Sequence, residues 1–538
     1  MHRALTIPEI LDEIFSYYHI QATDWHLDRS AKHRTLLALA LACRTFQDHA
    51  IAALWRQLIG FRQPILSFLG NVVEPPNLPV TADHWDQLGW KLCQSLSRED
   101  WNRFEKYTSH VREITIGYGD FQGLSNFMAF LSVKYLPRGS QGHLFPKLQS
   151  LTWRADRTTE LPFIHLFAAP PSLRTLTLDF YGTEDTLWLL SILECHLLSL
   201  TCLYLVEFDT IDLTDEYHTA FSRAMESRSC QGLESFHANV MDAPALQKLA
   251  HLPNLKELKV FIVRNSSGMV SDNQNGFSNL KTLRIYDCQI DFIVSFFRSA
   301  QMPLESIVLD ACHHDPEAAQ PPILVQSSLG DLISSIASQP CQTSLTELEV
   351  QYFPDSNGSD RLNSPLSITT LFAFSNLRLC HVEIREIDSA VAGPTFDLND
   401  DALVQMAAAW PYLETLIFKH RAGFHNTSKI TFNGFASLLR GCPLLKTLTL
   451  SVDATQLDYA FTAGVLNSWV QDLDLLDSII EEPTTVALIL ADLFGSLEQV
   501  NTWHRDSELY QPLWDEVNSI LERMREEAEG SEGSQMNT

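Results

Sequence analysis

Cys312-His313-His314-Asp315-Pro316-Glu317 is the one run in this 538-residue chain dense in groups that ligate metals or pass protons. Its first four residues are adjacent, so they cannot all turn toward one ion without a special loop. No second Cys/His pair lies nearby in sequence to complete a tetrahedral set. The run reads as a polar loop. A second candidate, IGYGDFQG at 116–123, puts glycines after a strand-like stretch, but without the spacing of the dinucleotide fingerprint. The Gly-x-x-x-x-Gly-Lys-Ser/Thr phosphate loop, His-Glu-x-x-His and the Gly-x-Ser-x-Gly elbow are all absent. No catalytic, metal-binding or cofactor-binding set is therefore assigned. An enzyme reading would need a compact pocket with perturbed titratable groups.

Bulk properties narrow the partners. Asp and Glu outnumber Lys and Arg 66 to 38, a formal charge of −28, which repels phosphate backbones and anionic lipid. Nucleic acid and membrane are excluded as main partners, and a basic protein surface or peptide is the more natural target. No run reaches the ~18 apolar residues of a membrane span. Pro8, Glu9, Asp12 and Glu13 stand where a secretory signal would be apolar, so none is expected. The ten cysteines, from Cys43 to Cys442, lack paired spacing and suggest reduced thiols of the cytosol or nucleus.

The elements that must position any site follow a cadence. NLKELKV at 254–260, NLKTLRI at 279–285 and PLESIVL at 303–309 each read L-x-x-L-x-L. The leading positions are Val111, Leu148, Leu173, Leu200, Leu233, Leu255, Leu280, Leu304, Leu345, Leu377, Leu413, Leu445, Val470 and Leu497. In such a unit the last two apolar residues alternate along a short strand and point to one side of a parallel sheet, with the leading one packed below. A single unit cannot bury that face, so stacking is obligatory. Helices are expected between strands at 245–252, 292–300, 329–337, 401–410 and 432–441.

The units resemble the leucine-rich repeat family. LKTLRIYDCQI at 280–290 fits its L-x-x-L-x-L-x-x-C-x-I pattern, and Leu304 to Cys312 fits through the Cys. The resemblance covers roughly residues 106–505 and implies an α/β solenoid, a curved parallel sheet with convex helices. Gaps of 22 to 41 residues between units predict irregular repeats, with insertions such as 310–340 and 351–370.

Ahead of the repeats, TIPEILDEIFSYY at 6–18 spaces Ile7, Ile10, Leu11, Ile14, Phe15 and Tyr18 along one helical stripe, with Thr6 and Glu9 fitting a capping box. A polar loop is expected over 19–34. A second helix follows from Thr35, and a third carries Ile51, Leu54, Trp55 and Leu58. Three short helices bury too little to be comfortable alone, so the surplus apolar side chains need another surface.

The order Ile7-Pro8-Glu9-Ile10-Leu11, then Ala42-Cys43-Arg44-Thr45-Phe46, then Leu54-Trp55 resembles the F-box. That resemblance implies docking on a Skp1-like adaptor and, through it, a cullin. Adaptor contacts would fall on Ile7, Pro8, Ile10, Leu11, Ile14 and Phe15, with Leu37, Leu41 and Trp55 behind or beside them. A plain core role is the alternative, favoured for Leu41, Cys43 and Leu54.

Side chains that alternate with the buried ones would line the open sheet face and could hold a protein substrate. They are Arg154, Tyr204, Lys259, Phe261, Arg284, Tyr286, Gln351 and Lys419, of which the aromatic and Arg residues are types enriched at protein interfaces. The expected organisation is an F-box-like segment at 1–60, a linker and N-terminal cap at 61–105, the solenoid at 106–505, a closing helix at 506–527 and a disordered tail at 528–538. The two resemblances together imply a non-enzymatic substrate receptor of a Skp1–cullin–F-box ubiquitin ligase. The alternative is a repeat scaffold whose N-terminal helices are a folded-in cap.

Overall fold

The computed structural model describes residues 7–18, 26–60, 97–117, 120, 128–129, 131, 143–155, 161–168, 170–180, 190, 200–206, 215–227, 230–264, 276–312, 327–339, 344–353, 366–386, 396–420, 428–457, 466–502 and 507–535. The chain divides into two compact units, Met1–Val240 with Leu252–Leu255, and Met241–His251 with Lys256–Thr538.

The first unit opens with α1 (Pro8–Ser16), α2 (His26–Ala42) and α3 (Arg44–Arg56) and runs straight into β1 (Gln57–Ile59). Then come α4 (Arg98–Thr108), β2 (Glu113–Ile116), β3 (Ser150–Ala155), β4 (Thr175–Phe180), β5 (Cys202–Val206), α5 (Asp215–Glu226) and β6 (Ser235–Asp242). Consecutive strands pair in parallel, from Leu58 opposite Ile114 to Leu203 opposite Phe236.

The second unit holds α6 (Ala243–Leu249), β7 (Glu257–Arg264), β8 (Thr282–Gln289), α7 (Ile290–Ser299), β9 (Ser306–Cys312), α8 (Leu329–Ala337), β10 (Glu347–Phe353), β11 (His381–Glu386), α9 (Asp400–Ala409) and β12 (Thr415–His420). It continues through α10 (Phe432–Gly441), β13 (Thr447–Thr449), β14 (Asp472–Asp474), α11 (Pro483–Leu493), β15 (Gln499–Asn501) and α12 (Ser507–Gln535). Its strands are also parallel and paired in chain order. The expected inter-strand helices at 245–252, 292–300, 329–337, 401–410 and 432–441 are α6, α7, α8, α9 and α10, with ends within a few residues.

The leading apolar residue of each unit does two jobs. Leu148, Leu173, Leu280, Leu304, Leu413 and Leu445 are fully buried, each two residues before its strand. The carbonyl of the next residue then accepts two N–H groups from the following unit. Arg112 O takes Gln149 N–H at 2.7 Å and Ser150 N–H at 2.9 Å; Lys281 O takes Glu305 at 2.7 Å and Ser306 at 3.0 Å; Glu414 O takes Lys446 at 2.7 Å and Thr447 at 3.1 Å. Apolar burial and backbone register are thus locked at one point per unit.

Two unit boundaries differ from the sequence reading. Val382 lies opposite Leu348 and Ile384 opposite Val350, which makes Leu379 the leading residue of that unit and not Leu377. Leu377 sits in the preceding turn, its N–H on Phe374 O at 3.0 Å. Apolar residues two apart fit the pattern in either frame. The sheet also starts earlier than residue 106. Leu58 on β1 pairs with Ile114, and Arg56 O accepts Arg112 N–H at 2.8 Å, so Trp55 holds the leading position of a first, unrecognised unit.

Other expectations shift for local reasons. Helix α2 begins at His26 and not Thr35, which shortens the expected loop; residues 19–25 and Thr6 lie outside the described residues. Helix α1 has Ile7 as its N-cap, without a side-chain cap. Helix α4 carries a Ser97–Asp100 capping box and lies on the crossover between β1 and β2, packed beside α3. The rest of the expected linker, 61–96, is outside the described residues. The closing helix runs to Gln535, so residues 528–535 are helical where a disordered tail was expected.

That helix completes the last edge. Trp514 is fully buried and donates through Nε1 to Ser478 O at 2.9 Å. Asn518 accepts from Val500 N–H at 2.8 Å and donates to Val500 O at 3.0 Å, as a further strand would.

Helices α9 and α10 pack so closely that a Cβ on Gly441 would stand 2.5 Å from Ala407 Cβ and 3.0 Å from Ala407 O. Gly441→Ala is expected to cost about 1–3 kcal/mol by overpacking, only partly offset by the gain in helix propensity. Denaturant unfolding measures it, and Ala407→Gly in the same chain should recover part of the loss.

Candidate protein-binding faces

The N-terminal stripe is about 140° wide at 100° per residue, broader than one neighbour can cover. Its Leu11 and Phe15 edge turns inward. Both are buried with Leu36 and Ala50, flanked by Phe46, Ala53 and Leu54, and the Phe15 ring lies 6.1 Å from Phe46. This corrects the assignment of Leu11 and Phe15 as partner contacts: they close the segment's own core. The other edge stays in solvent, with Ile7, Ile10 and Ile14 each more than a third exposed. On α2, Leu37 and Leu41 are 54% and 79% exposed, so Leu41 is not a core residue. Trp55 is half-buried and stacks on Tyr107 of α4 at 5.1 Å, a contact that belongs to the first repeat. Pro8 occupies the first turn of α1, where its missing N–H leaves no bond unmade.

On the open sheet face of each unit, every residue expected there points away from the core. Arg154 in the first unit pairs with the buried Asp179 at 3.4 Å, and the Tyr204 ring lies edge-on to His237 at 4.4 Å. The second unit carries the other six. Phe261 and Tyr286 stack at 5.0 Å, and Lys259 Nζ sits 4.7 Å and 5.5 Å from their ring centres. Gln351 donates to Glu349 at 3.1 Å, and Lys419 reaches Asp474 at 2.9 Å.

Four polar neighbours on this face were missed, because carboxylates and histidines on a strand look like ordinary solvated positions. His381, Glu383 and Arg385 alternate along β11, with Arg385 paired to Glu383 and His381 3.7 Å from it. Their hydrogen bond, with the surrounding acids, raises the His381 pKa. Burial pushes the Glu383 carboxyl up, but His381 and Arg385 outweigh it and hold it below the usual range. The fourth is Asp310 on β9. Its Oδ1 is enclosed without a hydrogen-bond partner, and burial, then the charges of Glu349 and Asp287, push its pKa to about 6. Asp287 sits on a bulge in β8, between Ile285 and Cys288, with a left-handed φ of 43°. The register alone would not reveal it.

The chemical runs end as structural features. Cys312 closes β9, buried, with its Sγ 3.5 Å from Asp287 Oδ1; residues 313–317 lie outside the described residues. Gly117 N–H bonds Asp120 at 2.7 Å in a turn, and most of 118–123 is outside the described residues. Among the described residues there is no group of three or more His, Cys, Asp or Glu able to hold a metal, and no helix long and apolar enough to cross a membrane. Burial raises the Cys230 and Cys442 thiols to about 11 and 12, which leaves little thiolate.

No family model matches the chain, and no curated protein does. Solved structures that resemble it include the following two. The Rad7 and Elc1 complex in yeast is 13% identical, covering 90% of this chain and 94% of that one, with a TM-score of 0.34. An internalin (inlF) from Listeria monocytogenes is 11% identical, covering 71% and 95%, with a TM-score of 0.32. The fold rests on the register and burial given above.

A carboxyl whose folded pKa is raised from 3.8 to about 6 keeps a proton that the unfolded chain gives up. Stability therefore falls as pH rises through that window. Asp310→Asn should raise stability near pH 7.5 by about 1 kcal/mol, after a discount for solvent screening, and change little near pH 4. Thermal unfolding at the two pH values checks it.

Proposed function

We propose that this chain is a non-enzymatic receptor that joins a protein client to a Skp1-like adaptor and, through it, to a cullin-based ubiquitin ligase. The carrying observation is the split stripe. Helices α1–α3 already have a closed core around Leu11, Phe15, Leu36 and Ala50, yet keep Ile7, Ile10, Ile14, Leu37 and Leu41 in solvent. Apolar side chains spaced i, i+3 and i+7 are what a helix offers to a foreign groove. Those five, with Pro8, are the proposed adaptor contacts; Leu11 and Phe15 support them from within, and Trp55 ties α3 to the first strand. Helix α3 passes into β1 without a linker, so the docking helices and β1–β6 belong to one compact unit.

The client is assigned to the open sheet face, where Lys259, Phe261, Arg284, Tyr286, Gln351 and Lys419 stand, with Arg154 and Tyr204 on the corresponding face of the first unit. No chemistry is required of such a receptor. It raises the effective concentration of a client lysine near the transferred ubiquitin. The second reading, a repeat scaffold with no ligase role, is favoured only if the exposed isoleucines find no adaptor.

Ile10→Asp with Ile14→Asp should abolish co-purification with a Skp1-like adaptor, a loss of at least about 100-fold in affinity, since two buried apolar anchors are worth roughly 1.5–3 kcal/mol each. Unfolding of the double variant should match the parent, because neither side chain belongs to the core. Undiminished adaptor capture would remove the ligase reading and leave the scaffold.

A further inference from the structure

We infer that the client segment held by the second unit is a basic one in extended conformation, its lysine or arginine seated against Asp310 and Glu349 with an apolar neighbour on the Phe261–Tyr286 pair; this rests on the reading that the open sheet face is the client site. Two independent features meet there, an exposed aromatic pair and a local charge imbalance.

The aromatic pair is pre-arranged. Phe261 is 41% exposed although its ring is stacked on Tyr286 at 5.0 Å and bordered by Lys259. A large apolar ring fixed in place and left in water is the usual anchor of an interface, since little rotamer freedom remains to be lost on binding.

The charge imbalance selects the occupant. The open positions of β9 and β10 are Ser306, Asp310, Glu347, Glu349, Gln351 and Phe353, with Val308 buried among them: three carboxylates and no cation on two adjacent strands. Hydrogen bonds within the protein engage two of the three: Ser306 donates to Glu347 at 2.5 Å and Gln351 to Glu349 at 3.1 Å. Asp310 keeps an unpartnered Oδ1 and has Asp287 and Glu349 as further negative neighbours. Three cations lie nearby: Lys259 borders the two rings, Arg284 bonds Tyr286 with its Nε left enclosed and unpartnered, and Arg385 is paired with Glu383. Asp287, Asp310, Glu347, Glu349 and Glu383 outnumber them. What remains for a ligand is negative field beside an apolar platform. A guanidinium or ammonium would supply the missing donors, in a charge-assisted bond stronger than a neutral one. An acidic or phosphorylated segment would be repelled. Open positions recur every second residue along a strand and about 4.8 Å across strands, spacings that suit an extended segment with alternating side chains.

The test selects a randomised displayed peptide library on the full chain, on Asp310→Asn/Glu349→Gln and on Phe261→Ala, each confirmed to be folded by a cooperative unfolding transition. Synthetic hits are then compared with copies carrying citrulline in place of arginine, by fluorescence anisotropy. Expected are Arg- or Lys-bearing hits with an apolar neighbour, the Arg-bearing ones bound at least 10-fold more weakly as citrulline peptides and all of them at least 10-fold more weakly by each variant. Hits that lose affinity in Phe261→Ala but are neutral or acidic, or that bind equally as citrulline peptides, overturn the inference and keep the open face as the client site. No enriched peptides, or hits indifferent to all three substitutions, overturn both. Adaptor capture by the same preparations reads the N-terminal half of the proposal separately.

Discussion

Three apolar side chains on one side of a short strand cannot be covered by the strand that carries them, and every other feature of this molecule follows from that debt. A neighbouring unit settles it by laying its own leading residue and strand alongside. The shared carbonyl, two N–H groups on one oxygen at the start of most strands, fixes the stacking in register. Burial supplies the drive and the hydrogen bonds supply the alignment, since unpaired backbone groups at the same place would be costly.

The constraint acts on one face only, and that leaves the other free. Positions between the buried ones need only tolerate water and their cross-strand neighbours, so they can carry ion pairs such as Arg154–Asp179 or Lys419–Asp474, or the stacked rings of Phe261 and Tyr286. Such pairs are worth little individually in solvent. Their value lies in composing a surface whose charge and shape can differ from unit to unit while the core stays the same. The N-terminal helices repeat the logic at smaller scale: one edge of a stripe satisfies the segment's own core and the other is left over.

Ends are where the stacking has to stop. At the far edge, Asn518 supplies to Val500 both hydrogen bonds that a further strand would have made, while Trp514 fills the apolar side. At the near edge, β1 follows α3 directly, so the helices ahead of it are joined to the first repeat.

Spacing alone determined the parallel α/β repeat, the leading residues of nearly all units, the helices between them and the identity of the open-face side chains. Those depend on period, and period is written in the chain. The sequence could not show which frame Leu377 and Leu379 belong to, because both are apolar and two apart. It could not show that Trp55 leads a strand, because a three-residue strand ending at Ile59 is too short to declare a pattern. Nor could it divide the α1 stripe into Leu11 and Phe15 inside and Ile7, Ile10 and Ile14 outside. A stripe records hydrophobicity, whereas burial depends on which neighbours arrive. Asp310 illustrates the same limit: a carboxylate on an open strand position acquires its raised pKa only when its neighbours bury it, with β10 bringing Glu349 and the β8 bulge bringing Asp287 beside it. Local periodicity is fixed by covalent order, but desolvation and charge crowding are properties of assembled neighbours, and only the tertiary structure decides them.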